Sequence, residues 1–136
     1  MKLVLGLGDT GLSIARFLSK QSIAYRIADS RPQPPSLSDY LAGSFGSEPV
    51  LGDWSQDLLT DIDEVFISPG IAQTQAIVVW AREKGIPVIS DIELFSRYAA
   101  APIIGITGSN GKSTVTQLLG EMIANEGKQV AIGGNI

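Results

Sequence analysis

Short runs of β-branched and aliphatic residues recur along the chain, each closing on small or turn residues: 2-KLVLGLG-8, 25-YRIADS-30, 64-EVFISPG-70, 86-IPVIS-90, 102-PIIGITG-108 and 129-QVAIGG-134. Between them the apolar period lengthens from that of a strand to that of a helix. Ile14, Phe17 and Leu18 fall at i, i+3, i+4, and Ile77, Trp80 and Ala81 repeat the spacing before a basic turn and glycine at Lys84-Gly85. Val115, Leu118, Leu119, Met122 and Ile123 form the longest stripe, which Glu126-Gly127 ends. Strands alternating with helices of this length predict parallel βαβ units, hence an α/β fold with a Rossmann-like parallel sheet.

The stretch 31–52 carries no clear period. A proline-rich segment, 31-RPQPPS-36, is followed by 37-LSDYLAGSF-45, which fits a short helix or an irregular turn, so only a loop is expected there. Ser90 with Glu93 three residues on matches a capping box, and 91-DIELFSRYA-99 is expected to start as a helix. That gives Asp91 and Glu93 a capping role, favoured over acid–base work. The small-residue run 99-AAAP-102 then precedes a second strand–loop–helix pattern. Two parts are expected: residues 1–98, and residues 99–136 as the opening β–loop–α–β of another domain.

Composition narrows the chemistry. The 136 residues are 44% hydrophobic and 18% charged, ordinary for a folded soluble chain. Ten basic against fourteen acidic residues give a formal charge of −4, so no general field draws nucleic acid or an anionic membrane. With neither cysteine nor histidine, disulfides, thiolate or imidazole zinc sites and a His-based triad are excluded within these residues, and a reducing cytoplasm fits. No apolar run reaches the roughly 18–20 residues of a bilayer span. The opening MKLVLGLG reads as a first strand and not as a signal peptide.

Two glycine loops remain. In 6-GLGDTG-11 the Gly-x-Gly-x-x-Gly pattern follows a strand and opens a helix, where glycines permit a tight turn and free amides attract a phosphate. The next strand ends in Asp29-Ser30-Arg31, about twenty residues on, where an acid would reach a ribose or base and Arg31 could stack or pair. A ligand-free turn is the plainer alternative. Asp9 beside a diphosphate is repulsive unless it points away.

The second loop, 105-GITGSNGKST-114, departs from Gly-x-x-x-x-Gly-Lys-Ser/Thr, because Ile106 holds the first glycine position and the turn starts two residues later, at Gly108. Its working parts are present. Gly108, Ser109, Asn110 and Gly111 provide the loop, Lys112 lies along outer phosphates, and Ser113 or Thr114 can hold Mg²⁺. ATP or GTP with Mg²⁺ is the expected ligand. A stand-alone NAD-binding regulatory module needs only the first loop and leaves Lys112-Ser113-Thr114 unexplained.

These stretches, with 68-SPGIA-72, 91-DIELF-95 and 133-GGNI-136, resemble the Mur ligases of peptidoglycan synthesis, in the branch that adds D-glutamate, and the resemblance runs through the whole chain. It implies a cytoplasmic, monomeric, ADP-forming amide ligase with no nucleic-acid or membrane partner. In it, ATP phosphorylates the carboxylate of UDP-N-acetylmuramoyl-L-alanine and the amine of D-glutamate attacks the acyl phosphate. It further implies that Asp9 and Thr10 meet the substrate diphosphate, that Asp29, Ser30 and Arg31 meet the uracil end, and that Gly70 and Asn135 line the same cleft. ATP would lie on residues 108–114, with Lys112 catalytic and Ser113 on Mg²⁺. Asp9 stands where the family is usually uncharged, and Ser30 where Thr is common. The family's central domain continues well past GGNI, so the chain is expected to be an N-terminal fragment, inactive in ligation alone and prone to self-association.

Overall fold

The computed structural model describes residues 1–43 and 45–134. The chain divides into two compact units, Met1–Tyr98 and Ala99–Ile136.

The first unit is built on a five-stranded, wholly parallel sheet in the order β3-β2-β1-β4-β5. The strands are β1 (Lys2–Leu5), β2 (Tyr25–Asp29), β3 (Val50–Leu51), β4 (Glu64–Ile67) and β5 (Val88–Ser90). Helices α1 (Asp9–Lys20), α2 (Leu37–Ala42), α3 (Ala76–Glu83) and α4 (Asp91–Tyr98) connect or follow them. Because side chains alternate across a strand, the central strands serve two cores. Leu3, Leu5, Val65 and Ile67 pack on one face with Ile77, Val78 and Ala81 of α3 and with Leu58 and Leu59 of a 3₁₀ turn. Val4, Ile27 and Phe66 face the other way, against Leu12, Ile14, Ala15 and Leu18 of α1, Tyr40 of α2 and Leu94 of α4. The i, i+3, i+4 stripes of α1 and α3 are therefore the core-facing stripes, with Phe17 and Trp80 at their half-buried margins.

Residues 31–52 hold more order than a loop. Tyr40 is buried, tilts against Phe45 with centroids 5.1 Å apart, and donates to the Ser47 carbonyl at 2.9 Å. This anchor stabilises α2 and lets β3 pair with the edge of β2, Ala28 with Val50 and Asp29 with Leu51. A two-residue strand has no legible period, so it depends on its neighbour. At α4 the expected cap forms in half: the Glu93 amide donates to Ser90 Oγ at 3.2 Å, while the Glu93 carboxylate pairs with Arg97 four residues on. Arg97 also pairs with the buried Glu64, which Lys2 approaches from its other side.

The second unit consists of a glycine loop leading into α5 (Lys112–Asn125). Gly120 is buried beside Val130 and Ile132, whereas Val115, Leu118 and Met122 are exposed. The strands expected at 102–108 and 129–134 do not join a sheet among the described residues. A strand is stabilised by its ladder and by a packed face, and an isolated pair is marginal at best. Asn135, expected in the substrate cleft, lies outside the described residues.

Candidate functional site

In the first unit, β1 leads outward on one side to β2 and β3, and the chain then returns to place β4 on the other side of β1. The order reverses between β1 and β4, and in such sheets the crevice beyond the carboxyl ends of the strands at the reversal is the ligand position. A cavity of about 570 Å³ opens there. Asp9, Thr10, Asp29, Ser30, Arg31 and Gly70, six residues singled out from the sequence, all line it.

The three glycines of 6-GLGDTG-11 have separate reasons to be glycine. Gly6 turns the chain out of β1 with φ of +93°, in the left-handed region that favours glycine. At Gly11 a Cβ would overlap the Gly6 carbonyl, so this position lets α1 pack close to β1. Gly8 has nothing near its would-be Cβ and borders the cavity. The first intrahelical bond of α1 is Leu12 N to Gly8 O at 2.9 Å, so the amides of Asp9, Thr10 and Gly11 have no intrahelical acceptor. Such a helix start attracts an anion.

Asp9 is exposed at the rim and takes a bond of 3.3 Å from the buried Ser36 hydroxyl. That bond draws its carboxylate toward the start of α2, which bears on its repulsion of a diphosphate.

Asp29 is engaged within the chain itself. Only 2% exposed, it accepts four hydrogen bonds: from the Leu7 amide at 2.7 Å, the Arg31 amide at 2.9 Å, Arg31 Nε at 2.8 Å and Arg31 Nη2 at 2.6 Å. Burial pushes its pKa up, but the Arg31 side chain and the Leu7 and Arg31 amides outweigh this and hold the carboxyl below its ordinary value. A carboxylate has about four acceptor directions, so Asp29 has none left for a ribose. It ties the glycine loop to Arg31 and fixes the guanidinium plane at the cavity wall.

Two further lining residues were not singled out individually from the sequence. Trp54 borders the cavity from the segment after β3, and Ser68 from the end of β4. Trp54 Nε1 and Ser68 Oγ are buried and have no hydrogen-bond partner among the described residues. Ser68 belongs to the quoted SPGIA stretch, but nothing local in the sequence brings Trp54 to a cavity 25 residues after Asp29; strand pairing does.

In the second unit, Gly108 and Gly111 have φ of +156° and +75°, so the left-handed turns begin at Gly108 as the spacing predicted. Lys112 Nζ donates to the Gly108 carbonyl at 2.5 Å and closes the loop. The first helical bond is Val115 N to Gly111 O at 3.0 Å, which leaves the amides of Lys112, Ser113 and Thr114 without intrahelical acceptors. Such a cradle fits polyphosphate. Among the described residues no cluster of three metal-ligating side chains exists, so a hard cation here would rely on the Ser113 hydroxyl, phosphate oxygens and water.

Among the described residues no helix is long and apolar enough to cross a membrane. Comparison with known proteins matches residues 1–90 to the family described as Mur ligase MurD-like, N-terminal domain. UDP-N-acetylmuramoylalanine–D-glutamate ligase of Pseudomonas syringae is 45% identical over 135 residues, covering 99% of this chain and 30% of that protein. The enzyme of the same name from Nitrosococcus oceani is 46% identical over 133 residues, covering 98% and 29%. The chain thus spans about 30% of the length of these relatives. The solved UDP-N-acetylmuramate-alanine ligase of Thermotoga maritima superposes with a TM-score of 0.58 at 20% identity, over 99% of this chain and 32% of that one, which supports the fold.

Proposed function

The chain belongs to the Mur ligase family, through a MurD-like N-terminal domain at residues 1–90, and on that premise we propose that it carries the UDP-substrate site and the nucleotide loop of a D-glutamate-adding ligase. The substrates are UDP-N-acetylmuramoyl-L-alanine, D-glutamate and ATP, and the product is the new amide with ADP and phosphate. Residues 1–98 form the UDP-substrate domain and residues 99–136 open the ATPase domain. Ligation itself requires the further length present in the relatives, and the full-length protein works as a cytoplasmic monomer.

The observation that carries this reading is the cavity at the β1/β4 reversal, bordered by Gly8, Asp9, Thr10, Ser30, Arg31 and Gly70. The free amides of Asp9 and Thr10 receive the diphosphate, as helix starts do. Ser30 and Arg31 meet the uracil end, with Asp29 positioning Arg31, and Gly70 borders the same substrate. In the second loop Ser109 and Asn110 with Gly108 and Gly111 wrap the ATP phosphates, Thr114 closes the cradle, and Ser113 holds Mg²⁺. ATP and Mg²⁺ supply the phosphoryl group and neutralise the charge that arises when two anions meet, activating the substrate carboxylate for the D-glutamate amine. Lys112 lies along the outer phosphates and offsets the same charge, a term that works best where water is excluded.

Calorimetric titration with UDP-N-acetylmuramoyl-L-alanine and, separately, NADH tests the reading. Saturable binding of the UDP substrate with weaker or absent NADH binding is expected. A preference for NADH would sink it and favour a dinucleotide-sensing module.

A further inference from the structure

We propose that Trp54 is the aromatic platform for the nucleobase in the first cavity, stacking its indole ring on the base. The inference rests on the reading of that cavity as a UDP-substrate site, and it names a residue that sets affinity there.

The placement follows from β3. Leu51 lies in register with Asp29, and the Gly52 amide donates to the Asp29 carbonyl at 3.0 Å. Gly52 then takes φ of +95°, which redirects the chain where a side chain would be strained. Two residues later Trp54 borders the cavity that Asp29 at the end of β2 and the following Ser30 and Arg31 also line. Part of the indole packs on the core cluster that includes Leu58 and Leu59, so the ring is supported from behind. Its Nε1 is buried with no partner among the described residues, although a buried indole N–H usually finds one.

The Arg31 guanidinium also lines this cavity, held flat by its two side-chain bonds to Asp29 and about half exposed. A planar base therefore meets a rigid cationic plane and a rigid aromatic plane in the same cavity. Stacking on an aromatic ring tolerates any base, so Trp54 governs how tightly the nucleoside is held, while base choice falls to the hydrogen-bonding groups of Ser30 and Arg31.

The chain has two tryptophans, Trp54 and Trp80. In a Trp80→Phe background Trp54 is the sole indole, and UDP is expected to quench its fluorescence saturably, with the Kd found by calorimetry. Trp54→Leu keeps an apolar cover over the core but removes the platform, and it should weaken UDP and uridine by the same factor, roughly 5- to 100-fold from the usual worth of base stacking. Trp54→Phe retains a ring and should stay within about fivefold of the parent. Equal UDP affinity in the parent and Trp54→Leu, or UDP binding without any change in Trp54 emission, overturns the inference and leaves the UDP site standing. Failure of UDP to bind the parent overturns both. Should Trp54→Leu not fold, the quenching experiment and the Phe variant decide.

Discussion

Asp29→Asn replaces one oxygen of a buried carboxylate with an amide group of nearly the same shape, where all four neighbours are donors. Whichever way the amide turns, its NH₂ faces two of those donors. If the remaining oxygen keeps the Arg31 amide and Nε, the Leu7 amide loses its acceptor, and Leu7 is fully buried. A buried unsatisfied donor costs about 1–3 kcal/mol, and the lost bond was charge-assisted. The Arg31 ion pair adds less, at most about 1 kcal/mol, because the guanidinium is 51% exposed and screened. The sum is about 1–4 kcal/mol at pH 7, or a fall in Tm of roughly 5–30 °C for a unit of this size.

Asp29's pKa is lowered on folding, so its contribution is complete above the unfolded value near 4 and is lost as pH falls through the folded value. Urea unfolding of parent and variant at pH 7, 5, 4 and 3 measures this. The gap should be widest at pH 7 and should narrow below about pH 4. A gap under about 0.5 kcal/mol at pH 7, or one as large at pH 3 as at pH 7, would refute the argument that Asp29 fastens the loop as a charged acceptor. UDP affinity should fall with the same substitution, since both Arg31 and the glycine loop lose their tie.

Gly11→Ala drives a methyl into the Gly6 carbonyl and is expected to destabilise the first unit by about 3 kcal/mol or more, seen as a lowered melting temperature by circular dichroism. Gly8→Ala, open on the cavity side, should melt within a few degrees of the parent yet weaken UDP at least about tenfold by calorimetry; equal effects at the two positions would contradict their separate roles. Tyr40→Phe removes the donor to the Ser47 carbonyl and should cost about 1–2 kcal/mol in urea unfolding, with no loss expected if α2 were a passive loop. Lys112→Ala in the full-length ligase should abolish phosphoryl transfer, measured as ADP release, and leave UDP-substrate binding nearly unchanged; a large loss of that binding would dissolve the division of labour between the loops.

Much of the architecture is local and hence legible along the chain. A strand closing on Gly6 and Gly8 and opening a helix at Asp9 needs backbone angles that only certain residues adopt, and the periods of α1, α3 and α5 state which stripe is apolar. The same holds for the second loop, where Gly108 and Gly111 take left-handed angles and the displaced first glycine shifts the turn. Pairing is another matter. Val50 and Leu51 become a strand only because β2 offers an edge, and Tyr40 holds the intervening segment in place. The runs at 102–108 and 129–134 have strand composition, but among the described residues they acquire no ladder.

The site divides along the same line. The glycine fingerprint with Asp29 and Arg31 at the next strand end led to the expectation of a phosphate and a nucleoside, because it concerns a turn, a helix start and the next strand end, while Thr10 and Ser30 entered through the family resemblance. Tertiary structure decided what each does. Three of the bonds to Asp29 come from Arg31 two residues on, a local pattern, but no local rule states that the Leu7 amide, 22 residues away, would take up what remains. Trp54 reaches the cavity through the register of β3 on β2. Dihedral preference and hydrophobic period are properties of neighbours in sequence, whereas hydrogen-bond satisfaction and the lining of a cavity depend on which distant segments the sheet brings together.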